Sequence, residues 1–232
     1  LRIRREEWAP NRHLMGMLCG MGIPMGLQYS ITAIGSVILQ SATNTLGSDA
    51  VAAVTAAGRI GGFLACPFDA MGSTMATYGG QNIGAGKLER IGQGLKSCVL
   101  LGAGYSVIAL GISIFGGSAL ATLFLDASEK AIIGNVRLFL IISTSFYFPL
   151  ALVNIIRFLI QGVGFPTFAI LAGVFEMAAR ALAGFLLVPN IGFIGSCLGS
   201  PIAWVFADIF LIPAYFHVKK VLVRRIGGNE RC

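Results

Sequence analysis

The sequence predicts an all-α, polytopic membrane protein built as a bundle of six transmembrane helices. Three observations carry this expectation. Hydrophobic residues make up 56% of the 232-residue chain and charged residues only 12%, with a mean hydropathy of +0.81, too apolar a balance for a soluble domain. Six stretches are long enough to cross a hydrocarbon core, which takes about 20 apolar residues in a helix. The Lys and Arg residues of the connecting segments fall on alternate sides of those stretches.

The expected spans are 13–39, 49–79, 92–117, 131–159, 167–188 and 194–218. The first is rich in Gly and carries Pro24 in Gly22-Ile-Pro-Met-Gly-Leu-Gln28; the second carries Pro67 in Ala65-Cys-Pro-Phe-Asp69. Each proline removes a backbone donor and leaves a carbonyl one turn earlier in need of another partner. Pro24 and Pro67 are therefore candidate hinges, with a static kink as the competing reading. Pro149 in the fourth span and Pro201 and Pro213 in the sixth are expected to add further breaks. Small residues at Gly16, Gly20, Gly22, Gly26, Gly58, Gly61, Gly62, Gly102, Gly104, Gly116 and Gly117 are expected to bring helix backbones together, as small residues do in lipid.

Basic residues set the orientation. Arg2, Arg4, Arg5 and Arg12 precede the first span, Lys87, Arg90 and Lys96 lie at the connection between the second and third, and Lys219, Lys220, Arg224, Arg225 and Arg231 follow the sixth. The other connections hold a single Lys. By the positive-inside rule both termini are cytoplasmic. Residues 1–12 then form a cytoplasmic basic segment, 13–218 the six-helix transmembrane lobe and 219–232 a cytoplasmic basic tail. The net charge of +7 reflects this topology, so the lipid bilayer is the expected partner and nucleic acid is not. Residues 1–8 are basic and amphipathic without the apolar core of a signal peptide, and the chain is expected to be a fragment or the second half of something longer.

Soluble-enzyme chemistry finds no support. The five cysteines include no CxxC pair and four of them fall inside spans, where a cysteine is ordinarily a small packing residue. His13 and His217 lie at opposite ends of the chain without His or Cys neighbours at ligand spacing. No metal site, cofactor or catalytic residue is expected. The segment Gly79-Gly-Gln-Asn-Ile-Gly-Ala-Gly-Lys-Leu88 resembles a phosphate loop only in part, because Leu88 stands where a magnesium-holding hydroxyl is required.

Ionisable groups at membrane depth cost several kcal/mol unless paired or wet, so each is a functional candidate. Glu176 and Arg180 stand four apart on one helix face; an internal salt bridge and a substrate- or proton-facing carboxylate are both open readings. Asn154, Arg157 and Gln161 form a polar stripe at helical spacing, and Arg157 is within reach of Glu176 in principle. Asp69, two residues beyond Pro67, is a candidate for titration or cation binding, against hydrogen bonding within the kink. Gln28 completes the set of candidate substrate- or ion-binding residues. Arg59 and Asp208 are expected to form interhelical pairs, and Arg137 is a further charge in the fourth span.

Several segments in order resemble one family. Gly80-Gln-Asn-Ile-Gly-Ala-Gly86 with Glu89 and Arg90 is similar to the cytoplasmic loop after the second helix of a lobe in multidrug and toxic compound extrusion (MATE) transporters. Gly22-Ile-Pro-Met-Gly26 resembles the opening of the family's seventh helix, Leu159-Ile-Gln-Gly-Val-Gly164 the loop after its tenth, and Glu176 with Arg180 a Glu-x-x-x-Arg pair in the eleventh helix of some bacterial members. Ile191-Gly-Phe-Ile-Gly-Ser-Cys-Leu-Gly-Ser-Pro-Ile-Ala-Trp204 resembles the start of the last helix. The resemblance covers almost the whole chain and implies the C-terminal lobe, helices seven to twelve, of a twelve-helix antiporter in the bacterial inner membrane. It implies efflux of small organic, often cationic compounds by alternating access, with protons or sodium as the coupling ion and an N-terminal six-helix lobe as partner. A lipid-linked or polysaccharide precursor exporter of the same superfamily and a non-transporting partner lobe are the alternatives. Where some members carry acids in the seventh and tenth helices, this chain reads Gln28-Tyr-Ser-Ile-Thr32 and Phe148-Pro-Leu-Ala-Leu152.

Overall fold

The computed structural model describes residues 11–126 and 128–229. The basic lead with Arg2, Arg4 and Arg5, the side chain of Arg225, and Arg231 and Cys232 lie outside the described residues. Every regular element among the described residues is helical. In order these are α1 (Arg12–Asn44), α2 (Ser48–Gly84), α3 (Leu88–Ala121), α4 (Lys130–Ser145), α5 (Tyr147–Gly162), α6 (Pro166–Leu182), a π-helical turn (Ala183–Leu187), α7 (Val188–Ile191) and α8 (Phe193–Asn229). α6, the π turn and α7 together make one membrane-length helix, Pro166–Ile191, while α4 and α5 form a single span bent by 52°. The count of six spans follows.

Local chemistry sets the ends of these helices. The Asn11 side chain accepts from the backbone N–H of His13 at 3.0 Å and of Leu14 at 3.4 Å, satisfying two donors that a helix start leaves free. The α2–α3 and α5–α6 turns pass through Gly86 at φ 70° and Gly164 at φ 94°, a left-handed backbone that disfavours any side chain. Between α3 and α4, Asp126 accepts from the Ser128 N–H at 2.9 Å and hydroxyl at 2.8 Å. Those two bonds hold its carboxyl below the usual carboxylate range.

The prolines differ among themselves, and the breaks expected at Pro201 and Pro213 are not formed. α1 and α2 run as continuous helices through Pro24 and Pro67, and α8 runs through both Pro201 and Pro213. The fourth span does break near its proline as expected, at Phe146, three residues before Pro149, so the span expected over 131–159 is two helices. Pro149 cannot donate to the Ser145 carbonyl and its ring crowds that group, which ends α4 at Ser145. Hydroxyls beside the break bond back into α4: Thr144 donates to Leu140 O and Ser145 to Ile141 O, both at 2.7 Å. Tyr147 anchors the new helix, donating its hydroxyl to the Gly61 carbonyl at 3.0 Å and packing edge-on against Phe68 and Trp204. Tyr147→Phe is expected to cost about 1 kcal/mol, the net worth of one such bond, in reversible unfolding from mixed micelles.

Packing is turned inside out relative to a soluble domain. Phe115 is 92% exposed while Ala53 is fully buried, because apolar side chains face lipid and small residues let helices meet. α5 is the buried centre, with every residue from Val153 to Ile160 covered, and α2, α3, α6 and α8 all pack on it. The glycines that mediate close approach are mostly not those expected from spacing. Gly16, Gly20, Gly22, Gly26, Gly58, Gly62, Gly104 and Gly116 have open space where a side chain would stand, whereas Gly35, Gly72, Gly79, Gly162 and Gly195 abut neighbouring helices and Gly102 meets Ala151. Three of the open positions, Gly16, Gly20 and Gly22, fall in residues 11–23, which are exposed all round.

Candidate functional site

Three helices bring charge into the bundle. The buried stripe of α6 is made of Ala169, Ala172, Gly173, Glu176, Ala179 and Arg180, small residues that let α1 and α5 close on the two charged ones. On α1, Gly35 permits this approach: a Cβ there would lie 2.9 Å from the Met177 Cα.

Glu176 is the hub. Arg157 of α5 donates through Nη2 to Glu176 Oε1, and Arg180 places Nη1 3.4 Å from Glu176 Oε2. Arg180 Nη1 also donates to the Thr32 carbonyl of α1 at 3.3 Å. One turn along, Gln161 donates to Gln28 Oε1 and so ties α5 to α1 across 133 residues of sequence. Glu176 and Gln28 are each 2% exposed, Arg157 and Arg180 each 6%. These are the ion pairs among the described residues, so the carboxylate is neutralised twice over where an isolated charge would cost most.

Five of the seven sequence-stated candidates, Gln28, Arg157, Gln161, Glu176 and Arg180, therefore meet in one cluster. The other two do not join it. Asn154 bonds its own helix through Nδ2 to the Leu150 carbonyl at 3.3 Å. Asp69 is exposed on α2 and makes no hydrogen bond or ion pair among the described residues.

Asp208 departs from its expectation. The expected interhelical pairs of Asp208 and Arg59 are not formed: Arg59 is exposed, and Asp208 Oδ1 has no partner although the residue is 7% exposed. Asp208 feels the charge of Arg157 without bonding to it. Arg157 Nε, Arg180 Nε and Thr32 Oγ1 share this lack of a partner. Two donors, a hydroxyl and a carboxylate oxygen thus stand unsatisfied in and beside the charged cluster, an arrangement that calls for water or an ion. An acid alone in an apolar span was the available signal. Arg137, by contrast, is exposed and reaches back to the Ile114 carbonyl at 3.3 Å.

The second polar feature is a face. Thr55, Arg59, Gly62, Cys66, Asp69, Ser73 and Thr77 are all exposed along α2 at helical spacing. Ser73, Thr74, Thr77, Tyr78 and Gln81 line a shallow recess at its end. A stripe holding an Arg and an Asp is expensive against hydrocarbon and so borders protein or water.

The MatE family model matches residues 24–186, well over half of the chain. The chain belongs to the MatE family. The match contains Gln28, Asp69 and the whole Arg157–Glu176–Arg180 cluster, and stops before Asp208. Solved structures share the fold. This MatE chain superposes on an outward-facing multidrug resistance MATE family transporter of the MOP superfamily with a TM-score of 0.86 at 19% identity, covering 95% of this chain and 50% of that one. A MATE structure in complex with MaL6 gives 0.85 at 18% identity, covering 97% and 51%. A MOP superfamily transporter from Pyrococcus furiosus, described as having a binding pocket of reverse polarity that suggests a different function, gives 0.79 at 17% identity, covering 94% and 50%. A search of curated proteins finds no match. The MatE chain spans about half the length of the solved transporters it matches. MATE proteins are transporters, not enzymes, and this one is a multi-pass membrane protein.

Proposed function

We propose that the chain is the C-terminal lobe, helices seven to twelve, of a secondary active antiporter that exports small organic, often cationic compounds in exchange for protons or sodium by alternating access. An N-terminal six-helix lobe is its partner, and both termini lie on the cytoplasmic side of the cell membrane. The exposed polar stripe of α2 carries this reading. The Arg59 to Thr77 stripe, which sets an Arg, an Asp and several hydroxyls along one exposed face of α2, is the wall of a wet cavity completed by a second lobe, and Asp69 is its carboxylate for a cationic substrate. Asp208, buried with an unpartnered oxygen beside Arg157, is the carboxylate this lobe offers the coupling ion. The Glu176 cluster holds α1, α5 and α6 as one rigid unit that moves with the lobe.

In a full-length context, Asp69→Asn is expected to reduce drug tolerance of an efflux-deficient host towards that of the host alone. Asp208→Asn is expected to abolish drug-stimulated proton or sodium flux in liposomes while leaving drug binding in place. Wild-type tolerance at normal expression removes Asp69 from the mechanism, and undiminished flux removes Asp208.

The second reading, export of a lipid-linked or polysaccharide precursor, is favoured by one observation: Arg157 and Arg180 outnumber Glu176 in the buried cluster, leaving cationic groups available to an anionic substrate. Lipid-stimulated rather than drug-stimulated flux in the same liposomes identifies it.

A further inference from the structure

A recess unrelated to the α2 stripe or the Glu176 cluster lies where α3 begins and α5 ends, with α8 as its third wall. It has a volume of about 170 Å³ and is lined by Ile91, Leu159, Val163, Val218 and Leu222, among other apolar groups. Three polar side chains reach it: Glu89 in the first turn of α3, and Tyr215 and Lys219 one turn apart on the same face of α8. Glu89 and Lys219 share the recess without pairing, since both ion pairs among the described residues belong to Glu176. Among the described residues the Tyr215 hydroxyl has no hydrogen-bond partner.

The recess therefore combines an apolar lining with a carboxylate from α3 and two donors, one of them cationic, from α8. Its surroundings fix the depth. Lys87, Arg90, Lys220 and Arg224 stand exposed beside these elements, and a belt of Lys and Arg at helix ends marks the level of lipid headgroups. An anionic headgroup alone would set its phosphate against Glu89. A trimethylated ammonium cannot donate a hydrogen bond to that carboxylate. A polar solute would leave the apolar walls uncovered. We infer that the recess binds a phospholipid with a primary-amine headgroup: its phosphate on Lys219 and Tyr215, its ammonium on Glu89, and part of an acyl chain between α3, α5 and α8.

The test is native mass spectrometry of the purified chain released from detergent micelles containing equal amounts of phosphatidylethanolamine, phosphatidylcholine and phosphatidylglycerol with identical acyl chains. Retention of phosphatidylethanolamine over each of the others by about tenfold is expected, the ratio that corresponds to about 1.4 kcal/mol. Glu89→Gln is expected to bring the ethanolamine-to-choline ratio close to one, and Lys219→Gln to lower retention of all three lipids. Both residues are exposed, so the variants are expected to keep the helical content and elution volume of the parent. A ratio near one in the parent, phosphatidylglycerol retained above phosphatidylethanolamine, or a parental ratio in Glu89→Gln overturns the assignment. The result is independent of whether the lobe transports drugs.

Discussion

Replacing Glu176 with Gln is expected to destabilise the bundle by about 3–5 kcal/mol, the usual cost of removing one partner from a buried ion pair. Here one carboxylate serves two guanidiniums, Arg157 from α5 and Arg180 from its own helix. Gln keeps the volume and offers an acceptor oxygen, so packing is preserved and the loss reports charge. Both arginines are nine-tenths buried and neither has another acid bonded to it. The measurement is reversible denaturant unfolding in mixed micelles, run as a double-mutant cycle with Arg180→Gln. Removing the second charge as well is expected to recover part of the loss, giving a coupling energy of roughly 0.5–3 kcal/mol. Additive losses would mean that the cluster does not act as a unit.

The second large effect lies at a glycine. Gly162 closes α5 directly against the backbone of α2, and a Cβ there would fall on the Ala76 carbonyl and Cα, closer than real Cβ atoms come. Backbone atoms have no rotamer by which to yield, so Gly162→Ala must separate the two helices. A loss of about 1–3 kcal/mol is expected, the range for overpacking a filled contact. Gly58→Ala, on the same α2 with nothing within 4 Å, is the control and is expected to stay within about 0.5 kcal/mol of the parent. Equal effects at the two positions would show that helix propensity, not contact, decides.

These two residues also show how far the sequence reaches. Glu176 and Arg180 were legible because a helix puts positions four apart on one face, and Arg157 stood out as a charge in an apolar span. The Gln28–Gln161 bond was not legible as a contact, since nothing in either local pattern points to a partner 133 residues away. Gly162 was not among the glycines singled out, and several that were, such as Gly16 and Gly20, touch nothing. Spacing shows that two small residues share a face, but only the arrangement of helices shows whether a neighbour stands opposite. The prolines teach the same lesson. Five lie within spans and look alike in sequence, yet only Pro149 stands at a break. Asp208 lacked a polar neighbour at helical spacing, so its sequence context gave no hint of Arg157. The six spans themselves, set by hydrophobic length alone, survive all of these corrections.

The most direct test of the half-transporter reading is drug efflux from proteoliposomes containing the chain with and without a MATE N-terminal six-helix lobe. The account predicts no efflux from the folded chain alone, efflux when the two lobes are reconstituted together, and its loss with Asp69→Asn. Efflux by the chain alone at the rate seen with its partner would contradict it.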